Sequence, residues 1–235
     1  MTGTGIIIVA GGIGTRMGGE IPKQFLCLDG RPLLMHTIDR FAEALPEAKR
    51  VVVLPENQIR EWQSLCLQYD FQIVHTVVSG GETRFHSVKN GLAEVTDCDY
   101  IGVHDGVRPL ITRNLITRVL EAAQDFGAAI PAVPVSDSLR ETVRCQACED
   151  PSRIIDSKPV DRSRFLAVQT PQFFRAGILL RSYGQDYTPK FTDDASVVEA
   201  GGSAVMLIPG DPANLKLTTP VDLILAQALL RSDND

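Results

Sequence analysis

Short, continuously apolar segments alternate along this chain with segments of helical periodicity, and this alternation restricts the fold more than any other feature of the sequence. Six apolar segments, most of them rich in β-branched residues, are predicted to be strands: 5–10, 50–55, 72–78, 100–105, 128–133 and 204–209. Strands that are apolar along their whole length are typical of a sheet covered on both faces.

Amphipathic segments lie between these predicted strands. In the first, Leu34, Ile38 and Phe41 recur at helical spacing, and further helices are predicted at 56–69, 85–95, 112–126 and 220–231. Thr112 and Thr219 are suited to cap the last two helices. The alternation predicts an α/β fold with a Rossmann-like, doubly wound, mostly parallel sheet, in a single domain over 1–235. Ligands of such sheets bind beyond the carboxyl ends of the strands.

One region, 135–164, departs from this pattern because it is polar, charged and partly alternating. It predicts an extended β-hairpin arm that protrudes from the domain. An isolated hairpin is only marginally stable in water, so we expect a partner subunit to pack on it.

Composition excludes several classes of function. The net charge of −6 provides no overall basic field, so no nucleic-acid partner is expected. No apolar run approaches the roughly 18 residues of a membrane span, and the first residues lack the features of a signal peptide, so the protein is predicted to be cytoplasmic and not bound to a membrane. The five cysteines are an odd number and predict no disulfide framework.

The loop after the first predicted strand combines glycines with cations. Gly12, Gly14 and Arg16 lie in it and Lys23 follows, but the pattern is neither the dinucleotide fingerprint nor a Walker A loop. Free backbone N–H groups in such a loop form an anion nest, and a guanidinium offers a planar fork for phosphate oxygens. The loop therefore predicts a phosphate site.

Three later segments also carry polar groups. In 79–88, Gly81 and Ser87 could grip a base or a ribose, although a plain turn explains the segment better when it is taken by itself. Asp105 ends an apolar strand, where a carboxylate beside phosphates suits Mg²⁺, and Arg108 would bind a second anion or form a local ion pair with Asp105. Lys216 lies between two leucines and must point away from them, towards solvent or a cleft.

Five segments in order resemble the 2-C-methyl-D-erythritol 4-phosphate cytidylyltransferase family: AGGIGTRM with PKQF, HDGVRP, DRSRFLAVQTPQFF, FTDDASVVE and NLKLTTP. The resemblance runs from about Ile6 to Leu230. It implies a sheet of the nucleotidyltransferase type and a reaction in which the phosphate of methylerythritol attacks the α-phosphorus of CTP. Pyrophosphate leaves and Mg²⁺ assists, in the non-mevalonate route to isoprenoids. The nucleophile is already an anion, so catalysis needs alignment and charge neutralisation rather than a general base.

The resemblance also implies roles for individual residues. Arg16 and Lys23 match the pair that stabilises the transition state, and Lys216 matches the lysine that holds the substrate for attack. The residues matched to CTP binding are Ala10, Gly11, Gly12, Gly14, Gly81, Glu82, Ser87 and Asp105. Those matched to the sugar-alcohol phosphate are Arg108, Ser138, Arg162, Thr170 and Thr192, of which Arg162 also counts as catalytic. The hairpin that carries Ser138 and Arg162 crosses to the second subunit of a homodimer in this family.

Three alternatives stay open at the level of sequence. A cytidylyltransferase for a pentitol phosphate, such as ribitol 5-phosphate, shares the glycine loop, PKQF and the aspartate–arginine motif. A nucleotide-binding protein without catalytic activity would keep the same sheet. The C-x-x-C of Cys145 and Cys148 could mark a redox or zinc module, although one pair without a second predicts ordinary thiols.

Overall fold

The computed structural model of this chain describes residues 3–11, 21–143 and 156–232. The strands within these ranges are β1 (Thr4–Val9), β2 (Cys27–Leu28), β3 (Arg31–Pro32), β4 (Lys49–Leu54), β5 (Thr76–Ser79), β6 (Tyr100–Asp105), β7 (Ala128–Pro134), β8 (Leu139–Val143), β9 (Asp156–Val160), β10 (Leu166–Val168), β11 (Gln172–Arg175) and β12 (Met206–Pro209). The helices are α1 (Leu33–Ala44), α2 (Glu56–Gln68), α3 (Arg84–Leu92), α4 (Arg113–Phe126), α5 (Ala176–Ser182), α6 (Asp194–Ala200) and α7 (Pro220–Ser232).

Eight strands form one mixed sheet around β1. Strand β1 pairs in parallel with β4 on one side and with β6 on the other, and β5 extends the sheet beyond β4. Strands β10 and β11 run antiparallel to their neighbours, while β12 is parallel to β7. The predicted mostly parallel α/β sheet is confirmed, and the reversal at β10 and β11 is an addition to it.

Helices cover both faces of the sheet, as the apolar strands predict. Ile6 and Ile8 of β1 are fully buried in the cluster under α1, α2 and α4. Ile7 is equally buried in the cluster under α3, α5 and α6. Successive side chains of a strand point to opposite faces, so a run of three isoleucines fits a strand with a core on each side.

The cap predictions are confirmed at α4 and α7. The Thr112 hydroxyl accepts a hydrogen bond from the Leu115 N–H at 3.2 Å, and Thr219 accepts one from the Asp222 N–H at 3.4 Å. In the part of the chain that the structure describes, none of the helices combines the length and hydropathy needed to cross a membrane.

Strands β8 and β9 pair antiparallel with each other, from Leu139 opposite Val160 to Val143 opposite Asp156, in a two-stranded sheet separate from the main one. Residues 144–155, which include Cys145 and Cys148, lie outside the described residues. That this hairpin is an arm reaching a second subunit stays a prediction.

One predicted strand is shorter than expected. The segment 72–78 pairs with β4 only from Thr76 onward. The preceding His75 accepts a hydrogen bond from the Trp62 indole N–H at 3.0 Å, and its Nδ1 lies 2.7 Å from the Ile73 carbonyl oxygen. These contacts fold the segment against α2 instead of adding it to the sheet.

The centre of the sheet provides a test of packing. Gly102 in β6 lies opposite Phe173 in β11, and a Cβ at Gly102 would lie 2.6 Å from the Phe173 ring. Because that ring is fully buried, we expect Gly102→Ala to lower the free energy of unfolding by about 1–3 kcal/mol, measured by urea denaturation.

Gly177→Ala in α5 is the matched control, since nothing lies within 4 Å of a Cβ there and alanine favours a helix. Equal stability of the two variants would contradict the packing argument.

Candidate active site

Two adjoining cavities open at the carboxyl end of the sheet. The first is lined by residues that follow β1, β5 and β6, among them Ala10, Gly11, Lys23, Gly81, Glu82 and Ser87. The second is lined by Arg108, Gln169, Thr170, Gln172, Thr192 and Asp193, among others. Arg84, Asp105 and Lys216 line both cavities and are called the shared centre below. The site thus lies beyond the carboxyl ends of the neighbouring strands β1 and β6. From these two ends the chain continues to opposite sides of the sheet, which is where ligands bind in this type of fold.

Close backbone packing forms one wall of the first cavity. The Gly81 N–H donates to the Ser87 hydroxyl at 3.1 Å, and a Cβ at Gly81 would lie 2.4 Å from that of His86. Only glycine allows this approach. Ser87 lies near the start of α3, which begins at Arg84 with Thr83 as its cap, one residue before the predicted start of this helix at 85.

A buried anchor holds the backbone of Lys23 beside the first cavity. Lys23 begins a 3₁₀ turn whose next two residues, Gln24 and Phe25, are buried. Gln24 donates through its amide to the side chain of Gln58, and the Phe25 ring stacks on Trp62 with centroids 6.0 Å apart. The PKQF segment thus places a lysine at the cavity by burying the two residues after it.

The Asp105 carboxylate is the electrostatic centre of the site. Its Oδ2 lies 3.0 Å from the Lys216 ammonium and 3.2 Å from Arg108 Nε, and its Oδ1 lies 3.8 Å from Arg84. Burial raises the pKa of this carboxyl, but the charges of Arg84, Lys216 and Arg108 outweigh burial and hold the pKa well below its usual range. Asp105 is therefore ionised throughout the physiological pH range.

The local ion pair predicted as one possibility for Asp105 and Arg108 is present. Arg108 donates through Nε to Asp105 and through Nη1 to the Asn214 carbonyl oxygen at 2.8 Å. These two contacts fix Nε and Nη1, two of the three guanidinium nitrogens. Arg108 also lines the second cavity, so its guanidinium is held in place beside that cavity.

Lys216 points into the cleft rather than into solvent. The neighbouring Leu217 is fully buried, and its N–H donates to the Val107 carbonyl oxygen at 2.9 Å. Because side chains alternate in an extended segment, this anchor turns Lys216 towards Asp105.

A buried polar chain supports the strand end beneath Asp105. The Thr170 hydroxyl accepts from the Asp105 N–H at 3.1 Å and lies 3.0 Å from His104 Nδ1. The Arg108 carbonyl oxygen lies 3.3 Å from Nε2 and can only accept, so the proton of the neutral ring lies on Nε2 and Thr170 donates to Nδ1. Burial lowers the pKa of His104 to about 3, in keeping with this neutral tautomer.

Sequence reasoning missed Arg84, although it lies within a segment that was singled out. Its Nη1 and Nη2 donate to the two carboxylate oxygens of Asp194 at 2.8 and 2.6 Å. Asp194 is fully buried and also accepts from the Tyr183 hydroxyl at 2.6 Å. The available signal was an arginine immediately before the predicted helix 85–95, at the end where the helix dipole disfavours a cation.

Other predicted residues are not brought to these cavities. Ser138 and Arg162 are exposed and line neither, and the Arg162 guanidinium donates to the Ser136 carbonyl oxygen. Gly12, Gly14 and Arg16 lie outside the described residues.

Asp105 is the carboxylate that lines both cavities. Among residues 3–11, 21–143 and 156–232, no group of three His, Cys, Asp or Glu side chains could hold one. Mg²⁺ commonly binds one or two carboxylates together with substrate phosphates, so a single carboxylate fits such an ion only beside a phosphate ligand.

Comparison with known proteins shows which family this chain is similar to. The profile of the family described as 2-C-methyl-D-erythritol 4-phosphate cytidylyltransferase matches residues 4–232. A protein of that name from Bacteroides thetaiotaomicron is 47% identical over 225 residues, which cover 96% of this chain and 98% of the relative. One from Phocaeicola vulgatus is 48% identical with the same coverage. The crystal structure of the enzyme of this name from Thermus thermophilus superposes with a TM-score of 0.75 at 33% identity, covering 98% of this chain and 100% of that one.

The neutral His104 predicts a pH dependence of stability. Between its ordinary pKa of 6.5 and its folded pKa of about 3, the unfolded chain binds more protons than the folded one, so stability falls as the pH is lowered through this window. We expect urea unfolding to show the wild type losing about 2 kcal/mol more than His104→Gln between about pH 7 and about pH 5.

Other buried histidines affect both proteins alike, so the difference between them isolates His104. Parallel pH profiles would show that folding does not lower the pKa of His104.

Proposed function

Because this chain belongs to the 2-C-methyl-D-erythritol 4-phosphate cytidylyltransferase family, we propose that it transfers a cytidylyl group from CTP to 2-C-methyl-D-erythritol 4-phosphate. A phosphate oxygen of the acceptor forms a bond to the α-phosphorus, and the bond to the bridging oxygen of pyrophosphate breaks. The products are 4-diphosphocytidyl-2-C-methyl-D-erythritol and pyrophosphate. The observation that carries this proposal is the shared centre, which places cations between two cavities as a transfer between two polyanions requires.

CTP is assigned to the first cavity. The glycine backbone at Gly11 and Gly81 allows a ligand to approach closely, and Glu82 and Ser87 provide polar groups for the nucleoside. Lys23 faces the same cavity, where its charge would stabilise the phosphorus under attack together with Arg16 from the adjoining loop. Removing one preorganised charge donor of this kind costs about 10²- to 10³-fold in kcat.

The acceptor phosphate is assigned to the second cavity. Arg108 brings a guanidinium to that cavity, and Thr170 and Thr192 bring groups that can bond to hydroxyls. Lys216 belongs to both cavities, which supports its role in holding the acceptor phosphate against the α-phosphorus. No general base is assigned, since the attacking oxygen is already charged.

Mg²⁺ is assigned mainly to the triphosphate, with Asp105 as the protein group beside it. Oδ2 of Asp105 is bound by Lys216 and Arg108, whereas Oδ1 lies 3.8 Å from Arg84. When bound, the ion would neutralise phosphate charge.

We further propose a homodimer in which the β8–β9 hairpin contributes Ser138 and Arg162 to the partner's second cavity. Neither residue lines either of the two cavities described above. Large apolar side chains beyond the hairpin are also exposed, and a second copy would cover them: Phe165 (46%), Leu166 (47%), Val168 (41%), Met206 (37%) and Leu207 (49%).

A cytoplasmic location is proposed from the thiols. Cys27, Cys66 and Cys98 are all free, and free thiols are typical of a reducing compartment.

The reaction is tested by pyrophosphate release with CTP and Mg²⁺, with methylerythritol 4-phosphate and ribitol 5-phosphate in parallel. We expect release with methylerythritol phosphate, loss of release on chelation of the metal, and a kcat about 10²-fold lower in Lys23→Ala. Release with ribitol phosphate alone would assign the protein to pentitol phosphates, and CTP binding without release would indicate a nucleotide-binding protein.

The shared site is tested by mixing two impaired variants, Lys23→Ala and Arg162→Ala. If Arg162 acts in the partner's site, a mixed dimer contains one site with both residues intact. Random reassortment should then restore about a quarter of the wild-type activity. A mixture no more active than its components would show that Arg162 acts within its own chain or not at all.

A further inference from the structure

The pair of Arg84 and Asp194 joins the two cavities, and none of the proposed catalytic contacts uses it. Arg84 is the first residue of α3, beside the first cavity, and Asp194 is the first residue of α6, next to Thr192 and Asp193 of the second. Their two parallel hydrogen bonds, 2.8 and 2.6 Å long, fix one helix start against the other. A bidentate pair of this kind sets orientation as well as distance.

The position of Arg84 runs against local preference. A cation in the first turn of a helix is disfavoured by the helix dipole, whereas a carboxylate in the first turn, such as Asp194, is favoured. Asp194 is held further by the Tyr183 hydroxyl and by its place after the capping box of Asp193 and Ser196. A residue that breaks a local rule inside a well-supported network indicates a functional constraint.

From this anchor Arg84 reaches the shared centre. Its Nη2 lies 3.8 Å from Asp105 Oδ1, while the opposite oxygen, Oδ2, holds Lys216 at 3.0 Å. The Lys216 side chain is 46% exposed, so packing restrains it little. Among the described residues, the ion pair with Asp105 is the main contact that holds its ammonium group in place. Displacing Asp105 would therefore displace the lysine that faces both cavities.

We propose that Arg84 is a positioning residue for the transfer reaction: anchored by Asp194, it fixes the Asp105 carboxylate and, through it, Lys216 at the boundary of the two cavities. This inference rests on the proposed function. The two hydrogen bonds to Asp194 fix the Arg84 guanidinium, and its Nη2 lies 3.8 Å from Asp105 Oδ1, so the role assigned to Arg84 is to position that carboxylate.

The test uses three variants, Arg84→Lys, Asp194→Asn and the double variant that combines these two changes. Each is compared with the control variant Tyr183→Phe. Lysine keeps the charge but loses the fork, and asparagine keeps the shape but loses the charge. We expect each single variant to lower kcat about 10²-fold, as loss of alignment does, with the KM for either substrate changed by less than about threefold. The double variant should be no slower than the slower single variant, since both break one unit.

Tyr183→Phe is the control. It removes a hydrogen bond from the same carboxylate but leaves the fork to Arg84, so it should lower the melting temperature while kcat stays within about threefold of the wild type. Rates are taken per folded molecule, measured by near-UV circular dichroism.

Three results would overturn the inference. The first is a normal kcat in Arg84→Lys with only a lower melting temperature. The second is a normal kcat in Asp194→Asn, because Arg84 would then act without its anchor. The third is an equal loss in Tyr183→Phe. A wild type that is itself inactive with both acceptors would instead refute the proposed function, so the two failures are distinguishable.

Discussion

The structure of the site depends on one buried carboxylate, that of Asp105. Three cationic side chains meet at it, and they come from the start of α3, the loop after β6 and the segment before α7. Without Asp105 these cations would repel one another in a poorly solvated cleft. With it, Arg84, Arg108 and Lys216 lie close together before any phosphate arrives. The charges that a phosphoryl transfer needs are therefore arranged during folding, and little reorganisation is left for the reaction.

Such a cluster is weak as a source of stability, because taking ions out of water can cost more than their attraction returns. The surrounding structure instead keeps it in one arrangement. Thr170 holds the Asp105 N–H, and the Asn214 carbonyl oxygen holds Arg108. His104 is adjacent in sequence and completely buried, and its neutral form avoids adding a further positive charge beneath the centre. A protonated imidazole here would work against the cations above it.

The parts of this arrangement that local patterns determine could be predicted from the sequence. The apolar strands around β1 are one example, and the strand end at Asp105 is another. Lys216 could be turned away from its leucines by alternation alone, but whether it met solvent or a cleft depended on Asp105, more than a hundred positions earlier. Arg84 was missed for the same reason, since its partner Asp194 is 110 residues away in sequence. Strands β10 and β11 were missed because they are short and because nearby glutamines, such as Gln169 and Gln172, form buried hydrogen bonds that composition does not reveal.

The position of the charges also determines where substrate selectivity must lie. In the proposed assignment the shared centre contacts phosphate, and every candidate acceptor carries one, so Asp105 and its cations would not distinguish one sugar-alcohol phosphate from another. This is why the glycine loop, PKQF and the aspartate–arginine motif did not separate methylerythritol phosphate from ribitol phosphate. We expect discrimination to come from uncharged groups of the second cavity, such as Thr170, Gln172 and Thr192. A site that hydrogen-bonds a substrate hydroxyl rejects an analogue that leaves its buried polar groups unpaired. In the proposed assignment, therefore, the charged centre would promote the reaction, and the second cavity would select the acceptor.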